Sequence, residues 1–281
     1  MQFNCQRKLK ATIMLRIISY NIRYHNPNDG ANAWPHRQAR VIELLNRYQP
    51  DLIGLQEVRK EPLDDLMAGL PDFGWVGVGR DDGQEAGEFA AIFYRKSRLQ
   101  LAQSGTFWLS EAPAQVGSIG WDASLPRIAT WAEFVDAQSA ARFLHLNTHF
   151  DHRGMTAQVE SAHLLRRFSA ERVPALPTVM TGDFNCVEGS APYVALTAPD
   201  GNGSPLRDAM HITQTPHEGP TGTFNGDFAD PLYEKIDFVF VWKPPTDAVP
   251  AVQVQRHAIL ADQENGRYPS DHLPVLAEVV L

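Results

Sequence analysis

Short apolar runs recur along this chain from end to end, and most are closed by an acid, an amide or a histidine. Runs rich in Ile, Val, Leu and Phe, too short for helices and bounded by polar residues, read as buried strands. A strand covered on both faces has no polar side to alternate with the apolar one. Leu15–Tyr20, Leu52–Leu55, Trp75–Val78, Phe89–Tyr94, Leu99–Ala102, Ile128–Val135, Arg142–Asn147, Thr178–Thr181, Ile236–Trp242, Val252–Ile259 and Leu273–Val280 fit that description. Pro35–Tyr48 is predicted helical instead: Val41, Leu44, Leu45 and Tyr48 follow i, i+3, i+4, i+7, and Pro35 suits a first turn. Pro62–Leu70 and Thr156–Ala170 read as further helices. Strands and helices in mixed order, with no repeat and no linker, predict a layered α/β protein with large mixed sheets. A regular βαβ alternation is not expected.

Composition narrows the class. With 281 residues and 43% hydrophobic content, the chain can fill a substantial core, which excludes a disordered protein. No apolar run approaches the roughly 20 residues of a membrane-spanning helix. Two cysteines, Cys5 and Cys186, cannot build a disulfide framework or a cysteine-rich zinc site. The formal net charge of -8 disfavours non-specific binding to duplex phosphates. Residues 1–13 read as a disordered leader without the apolar core of a signal peptide. With no export signal and no evident disulfide, the cytoplasm is the expected compartment. Residues 14–281 are expected to form one domain.

The informative pattern is what ends the strands. Asn21 follows IISY, Glu57 follows LIGLQ, His149 follows FLHLNT, and Asp183 and Asn185 follow TVMTG. Asp237 opens DFVFVW, and Asp271 and His272 precede LPVLAEV. Each residue alone has an ordinary structural explanation, such as a turn cap, an ion pair or a satisfied core histidine. Together they place several carboxylates beside buried strands, which is costly unless something neutralises them. A divalent cation is the economical answer. Glu57 and Asp271, with Asn21, supply the hard oxygen ligands that magnesium prefers, and no HExxH spacing points to zinc.

Six ordered motifs carry a resemblance. SYN at 19–21, GLQEV at 54–58, NTHFD at 147–151, TGDFN at 181–185, KIDFVFV at 235–241 and SDHLPV at 270–275 are similar to those of the endonuclease/exonuclease/phosphatase superfamily, from Leu15 to Leu281. The resemblance implies a four-layer α/β sandwich, two packed mixed β-sheets with helices outside, and Mg2+- or Mn2+-dependent hydrolysis of a phosphoester. It implies Glu57 as the principal metal ligand, with Asn21 and Asp271 completing or orienting the shell. Asp183 would orient or deprotonate the attacking water, and Asn185 would hold phosphate or water. His272 would donate to a phosphoryl oxygen, partnered by Asp237, and His149 would lie against the phosphate. Arg127, in PRIATW, stands where several branches place a phosphate-contacting arginine. Arg23 and Arg153 are candidates for the rest of an anion patch.

Departures bear on substrate. Arg23 stands two after Asn21, where the DNA-repair branch has an Asp. The polar loop GRDDGQEAGEF at 79–89 is a candidate cleft lining, and Trp34 and Trp121 are candidates for stacking on a base or sugar. The first expectation is a phosphodiesterase acting on a nucleic-acid strand or a small diester. The second is a phosphomonoesterase acting on a small metabolite. A catalytically inactive binding module on the same fold is the alternative of another class, and the intact motifs speak against it. A membrane partner is not expected, and a monomer is.

Overall fold

A computed structural model of the chain describes residues 14–172, 176–199, 206–242 and 252–281. The expected leader, residues 1–13, lies outside the described residues. The strands are β1 (Leu15–Asn21), β2 (Leu52–Val58), β3 (Phe73–Val76), β4 (Phe89–Arg95), β5 (Leu99–Trp108), β6 (Ile128–Asp136), β7 (Arg142–His149), β8 (Thr178–Asp183), β9 (Arg207–Asp208), β10 (Asp237–Trp242), β11 (Gln253–Ile259) and β12 (Val275–Val280). The helices are α1 (Trp34–Tyr48), α2 (Lys60–Gly69), α3 (Met155–Arg172), α4 (Ala191–Thr197) and α5 (Ala209–Ile212).

The strands form two six-stranded mixed sheets, ordered β11-β12-β1-β2-β4-β3 and β5-β6-β7-β8-β10-β9. Alternation along each strand sends one set of side chains between the sheets and the other under the helices. Ile17, Leu52, Phe134, Phe143, Val179, Val239 and Val275 meet in the central layer. Ile18, Tyr20, Ile53 and Leu55 face the other way, against Val41, Leu44, Leu63 and Leu66 of α1 and α2. Leu144, Leu146, Met180 and Phe238 face Ala162, Leu165 and Leu196 of α3 and α4. The result is the four-layer sandwich, with every central strand buried on both faces.

Two differences from the sequence reading have physical causes. β5 continues through Trp108, well past Ala102, because it is an edge strand whose Gln100, Gln103 and Ser104 face outward. Backbone pairing with β6 over its whole length sustains it without apolar alternation. α4 and α5, of seven and four residues, are too short to show a helical period.

Each sheet holds one parallel pair joined over a helix: β1–α1–β2 and β7–α3–β8. The neighbours β12 and β10 run antiparallel to β1 and β8. The C-terminal ends of β1, β2, β7 and β8 and the N-terminal ends of β10 and β12 therefore share one rim.

The sheets approach closely at Gly54, where an added Cβ would lie 1.9 Å from Thr181 Oγ1 and 2.5 Å from Asn147 Oδ1. Asn147, fully buried, fills the seam. Its Nδ2 donates to the carbonyls of Leu55 (2.8 Å) and Ala91 (3.0 Å), and its Oδ1 accepts from Gln56 Nε2 (2.7 Å) and Thr181 Oγ1 (3.0 Å).

Candidate active site

The register of β7, β8 and β10 pairs His149 with Asp183 and Asp183 with Asp237. Residues opposite one another on adjacent strands project to the same face, so these three side chains emerge together. His272, just ahead of β12 in the other sheet, closes the group. Its Nδ1 hydrogen-bonds Asp237 Oδ2 at 2.9 Å, and its Nε2 lies 3.8 Å from Asp183 Oδ2. His149 Nε2 approaches the same Asp183 oxygen from the other side, at 3.5 Å.

Glu57 reaches the rim through a distortion. The β2–β4 register shifts between Leu55 and Val58, and Glu57 adopts a left-handed backbone with φ of 59°. For a glutamate that conformation costs on the order of 1–3 kcal/mol, and the surroundings must hold it. Asn147 does so in part, because its amide serves the carbonyls of Leu55 and Ala91 beside the bulge. Asn21 then joins the sheets at the site: its Nδ2 donates to Glu57 Oε1 at 3.1 Å and to Asp183 Oδ2 at 2.9 Å. The Tyr24 N–H donates to the other Glu57 oxygen at 3.0 Å.

The electrostatics separate the roles. Burial, reinforced by Asp237, pushes the Asp183 carboxyl up to about 7, against the pull of His272 and the hydrogen bonds from Asn185 and Asn21. Burial pulls His272 down, but Asp237 and Asp183 outweigh it and hold the imidazole well above its usual range, so it is cationic at neutral pH. Burial, with Arg127 and Arg80, holds His149 far below its usual range, so it is neutral. Burial also raises Asp271; His272 and Arg23 oppose that rise and Glu57 adds to it.

The other expected residues fall as follows. Asn185 has a left-handed backbone, φ 46°, which an asparagine tolerates. Its N–H donates to Asp183 Oδ1 at 2.9 Å and its Nδ2 to the Phe150 carbonyl at 3.0 Å. It thus orients Asp183 as well as facing the rim. Arg23 is bound by Asp29 at 3.0 Å and stands 3.8 Å from Asp271. Arg153 is exposed, and its backbone N–H donates to Asp151 Oδ1 at 2.9 Å. Trp34 is fully buried, donating to Asp65 at 2.8 Å, and is unavailable for stacking. Burial pushes the Cys186 thiol up to about 12, which removes it as a nucleophile.

Sequence reasoning missed a strap and an ion pair. Thr223 Oγ1 accepts the N–H groups of Ile236 (3.1 Å) and Asp237 (3.2 Å), Phe224 packs on His272 with ring centroids 5.0 Å apart, and the Asn225 N–H bonds the Asp271 carbonyl (2.9 Å). Only the small and turn-forming residues of TGTFN hinted at it. Arg80 and Glu88, the two ends of the supposed polar turn, are buried and paired at 2.7 Å. The segment does line the site, but through its ends.

Among the described residues, two groups of three acidic or histidine side chains lie close enough to share a cation. Asp183, Asp237 and His272 form one, but a cationic His272 bonded to Asp237 is not a free ligand. Glu188, Asp208 and His211 form the other, and there Lys235 already meets Asp208 at 2.6 Å. Glu57 and Asp271 offer a different set: hard oxygens with Asn21 beside them, Glu57 disfavouring the charge on Asp271, and Arg23 3.8 Å from Asp271 as counter-ion. That donor chemistry fits a hard divalent cation better than zinc.

Comparison with known proteins agrees with this geometry. Residues 1–272 match the Endonuclease/Exonuclease/phosphatase family. A solved endonuclease/exonuclease/phosphatase from Bacteroides vulgatus is 41% identical, with a TM-score of 0.88 over 96% of this chain and 99% of that one. A mannosyl-6-phosphatase from Bacteroides thetaiotaomicron is 36% identical, with a TM-score of 0.86 over 95% of this chain and all of the other. The 2',5'-phosphodiesterase 12 of Bos taurus is 22% identical over 285 residues, 87% of this chain but 46% of that protein. The chain spans less than half the length of most of the curated relatives it matches.

Proposed function

This chain belongs to the Endonuclease/Exonuclease/phosphatase family, a family of phosphoester hydrolases, and we propose that it is itself a Mg2+- or Mn2+-dependent phosphoesterase that works by attack of water on phosphorus. The observation that carries the reading is Asp183. It is a buried carboxylate titrating near 7, held by Asn21 and Asn185 and flanked by one neutral and one cationic imidazole. A base poised there is ionised often enough to accept a proton from water and basic enough to keep it.

Glu57 and Asp271, with Asn21, would hold the cation, which when bound supplies Lewis-acid polarisation of a phosphoryl oxygen and stabilises the leaving alkoxide. Asp183 orients the attacking water and takes its proton. His272, charged and fixed in orientation by Asp237, donates to a phosphoryl oxygen that gains charge in the transition state. Asn185 and the neutral His149 contact the phosphate, with Arg127 behind them. Water attacks in line, and no covalent enzyme intermediate is needed.

The diester was the first expectation from the sequence. The 36% identity to a protein described as a mannosyl-6-phosphatase, against 22% to a diesterase, favours the monoester of a small metabolite. We further take residues 14–281 as one catalytic domain acting as a monomer in the cytoplasm. Among the described residues, no helix is long and apolar enough to cross a membrane.

The test is hydrolysis of p-nitrophenyl phosphate and bis-p-nitrophenyl phosphate with magnesium, manganese or EDTA. Turnover that needs the cation, and that Asp183→Asn abolishes while the protein stays folded, supports the reading. Activity retained in Asp183→Asn removes it as the base, and an unchanged metal titration in Glu57→Gln removes that residue from the metal site.

A further inference from the structure

Beside the rim, several guanidinium nitrogens are buried without a hydrogen bond. Arg127 is 5% exposed and Arg80 8%. Arg80 spends Nη1 and Nη2 on Glu88, at 2.7 and 3.2 Å, and its Nε makes no hydrogen bond, with Asp81 Oδ1 3.8 Å away. Arg127 bonds His152 Nδ1 through Nη2 at 3.1 Å; its Nη1 and Nε make no hydrogen bond, and Nε stands 3.6 Å from Asp151 Oδ2. Nδ1 of His149 is buried and makes no hydrogen bond either, standing 3.8 Å from Glu88 Oε2. Arg80, Arg127, Glu88 and His149 line one cavity, with Phe89 and Ile128 in its wall.

Buried polar groups left unsatisfied are costly and rare, and a cluster of them at a reactive rim marks where a ligand's polar atoms belong. The unused groups centre on two guanidiniums, so the missing atom is an anionic oxygen. Size then limits what carries it. The cavity is about 10 Å³, room for about one water-sized atom. It adjoins His149, whose other nitrogen stands 3.5 Å from Asp183, so it borders the rim.

A phosphomonoester and a phosphodiester differ at one position on phosphorus. The monoester has a bare, negatively charged oxygen there, and the diester an oxygen that continues into carbon. We propose that Arg80, Arg127 and His149 form a receptor for the bare terminal oxygen of a phosphomonoester dianion, with Glu88 fixing Arg80. The second ester group of a diester would have to pass into the wall formed by Phe89 and Ile128. This rests on the reading of the rim as a phosphoesterase, and it makes the residues at both ends of the 79–89 loop determinants of specificity.

The test compares p-nitrophenyl phosphate with methyl p-nitrophenyl phosphate, which differ by one methyl group on that oxygen, in wild type, Arg127→Gln and Arg80→Gln. Wild type is expected to favour the monoester by roughly 100-fold in kcat/KM; Arg80→Gln should lose at least about tenfold on the monoester with little change on the methyl diester, and Arg127→Gln should lose at least about tenfold more on the monoester than on the methyl diester. A wild type that prefers the methyl diester, or variants that lose both substrates equally, overturns the proposal. Should a variant fail to fold, wild type alone decides: inorganic phosphate must raise its melting temperature at concentrations where dimethyl phosphate does not. Equal effects of the two refute the receptor. Turnover of neither ester with either metal would instead refute the phosphoesterase reading, and the same phosphate comparison would still decide the receptor.

Discussion

Replacing Asn147 with leucine keeps the number and branching of its side-chain heavy atoms and removes all four of its hydrogen bonds. Two of its partners are insured: Gln56 Nε2 keeps the Gly54 carbonyl at 3.1 Å, and Thr181 Oγ1 keeps His145 at 2.9 Å. The carbonyls of Leu55 and Ala91 lose the amide that serves them in the seam. At about 1–3 kcal/mol for each buried group orphaned, and about 1 kcal/mol for each insured bond lost, the sum runs from about 4 to about 8 kcal/mol. That is large against the total stability of an ordinary domain. Urea unfolding in EDTA reads it as a fall in midpoint at constant slope. Asn147→Asp should be no better, since a second carboxylate oxygen would face the two carbonyls. The same substitution loosens the bulge that aims Glu57, so half-maximal thermal stabilisation by manganese should need on the order of tenfold more metal. A loss below about 1 kcal/mol would show that the bulge does not depend on this amide. An unshifted manganese midpoint would show that Glu57 is held by other means.

Three further outcomes follow from the geometry. Gly54→Ala should cost about 3 kcal/mol or more in the same unfolding assay, because its Cβ, 1.9 Å from Thr181 Oγ1, forces the sheets apart; a neutral result would mean the seam can relax. In EDTA, Asp183→Asn should gain stability relative to wild type as pH rises from 4 to 8. A carboxyl raised from 3.8 to about 7 contributes stability that is full below its unfolded value and lost through its folded one, roughly 4 kcal/mol at 1.36 per unit; a pH-independent difference refutes it. In Asp237→Asn, the His272 imidazole followed by NMR should titrate at lower pH than in wild type, since Asp237 is the strongest group holding its charge; an unmoved midpoint would leave Asp183 and Asp271 as the cause.

Much of this molecule is legible in the order of its residues. The strands buried on both faces announced themselves, and their polar terminators marked the rim, because rigid strand ends are where side chains can be held over a common cleft. What stayed hidden depends on partners distant in sequence. Arg80 and Glu88 look like solvated loop charges until Arg127, His149 and the strands behind them cover both. Thr223 and Asn225 carry no motif of their own, and their value lies in clamping Asp237 and Asp271, which only the fold brings near. Trp34 misled for the opposite reason: a tryptophan at a loop boundary reads as available, and here it is sealed under α2 through Asp65.

The Asn21–Asp183 and His272–Asp237 contacts each join a residue from one sheet to a residue from the other. The reactive group is therefore assembled from two halves, and its alignment is a measure of how the two sheets are seated. A slip of one sheet along the other by half an ångström would leave every strand and helix intact by circular dichroism yet would move Asn21 and His272 away from Asp183 and Asp237. Heat or denaturant should then silence the enzyme before it unfolds, and turnover becomes the most sensitive gauge of sheet alignment that the molecule offers.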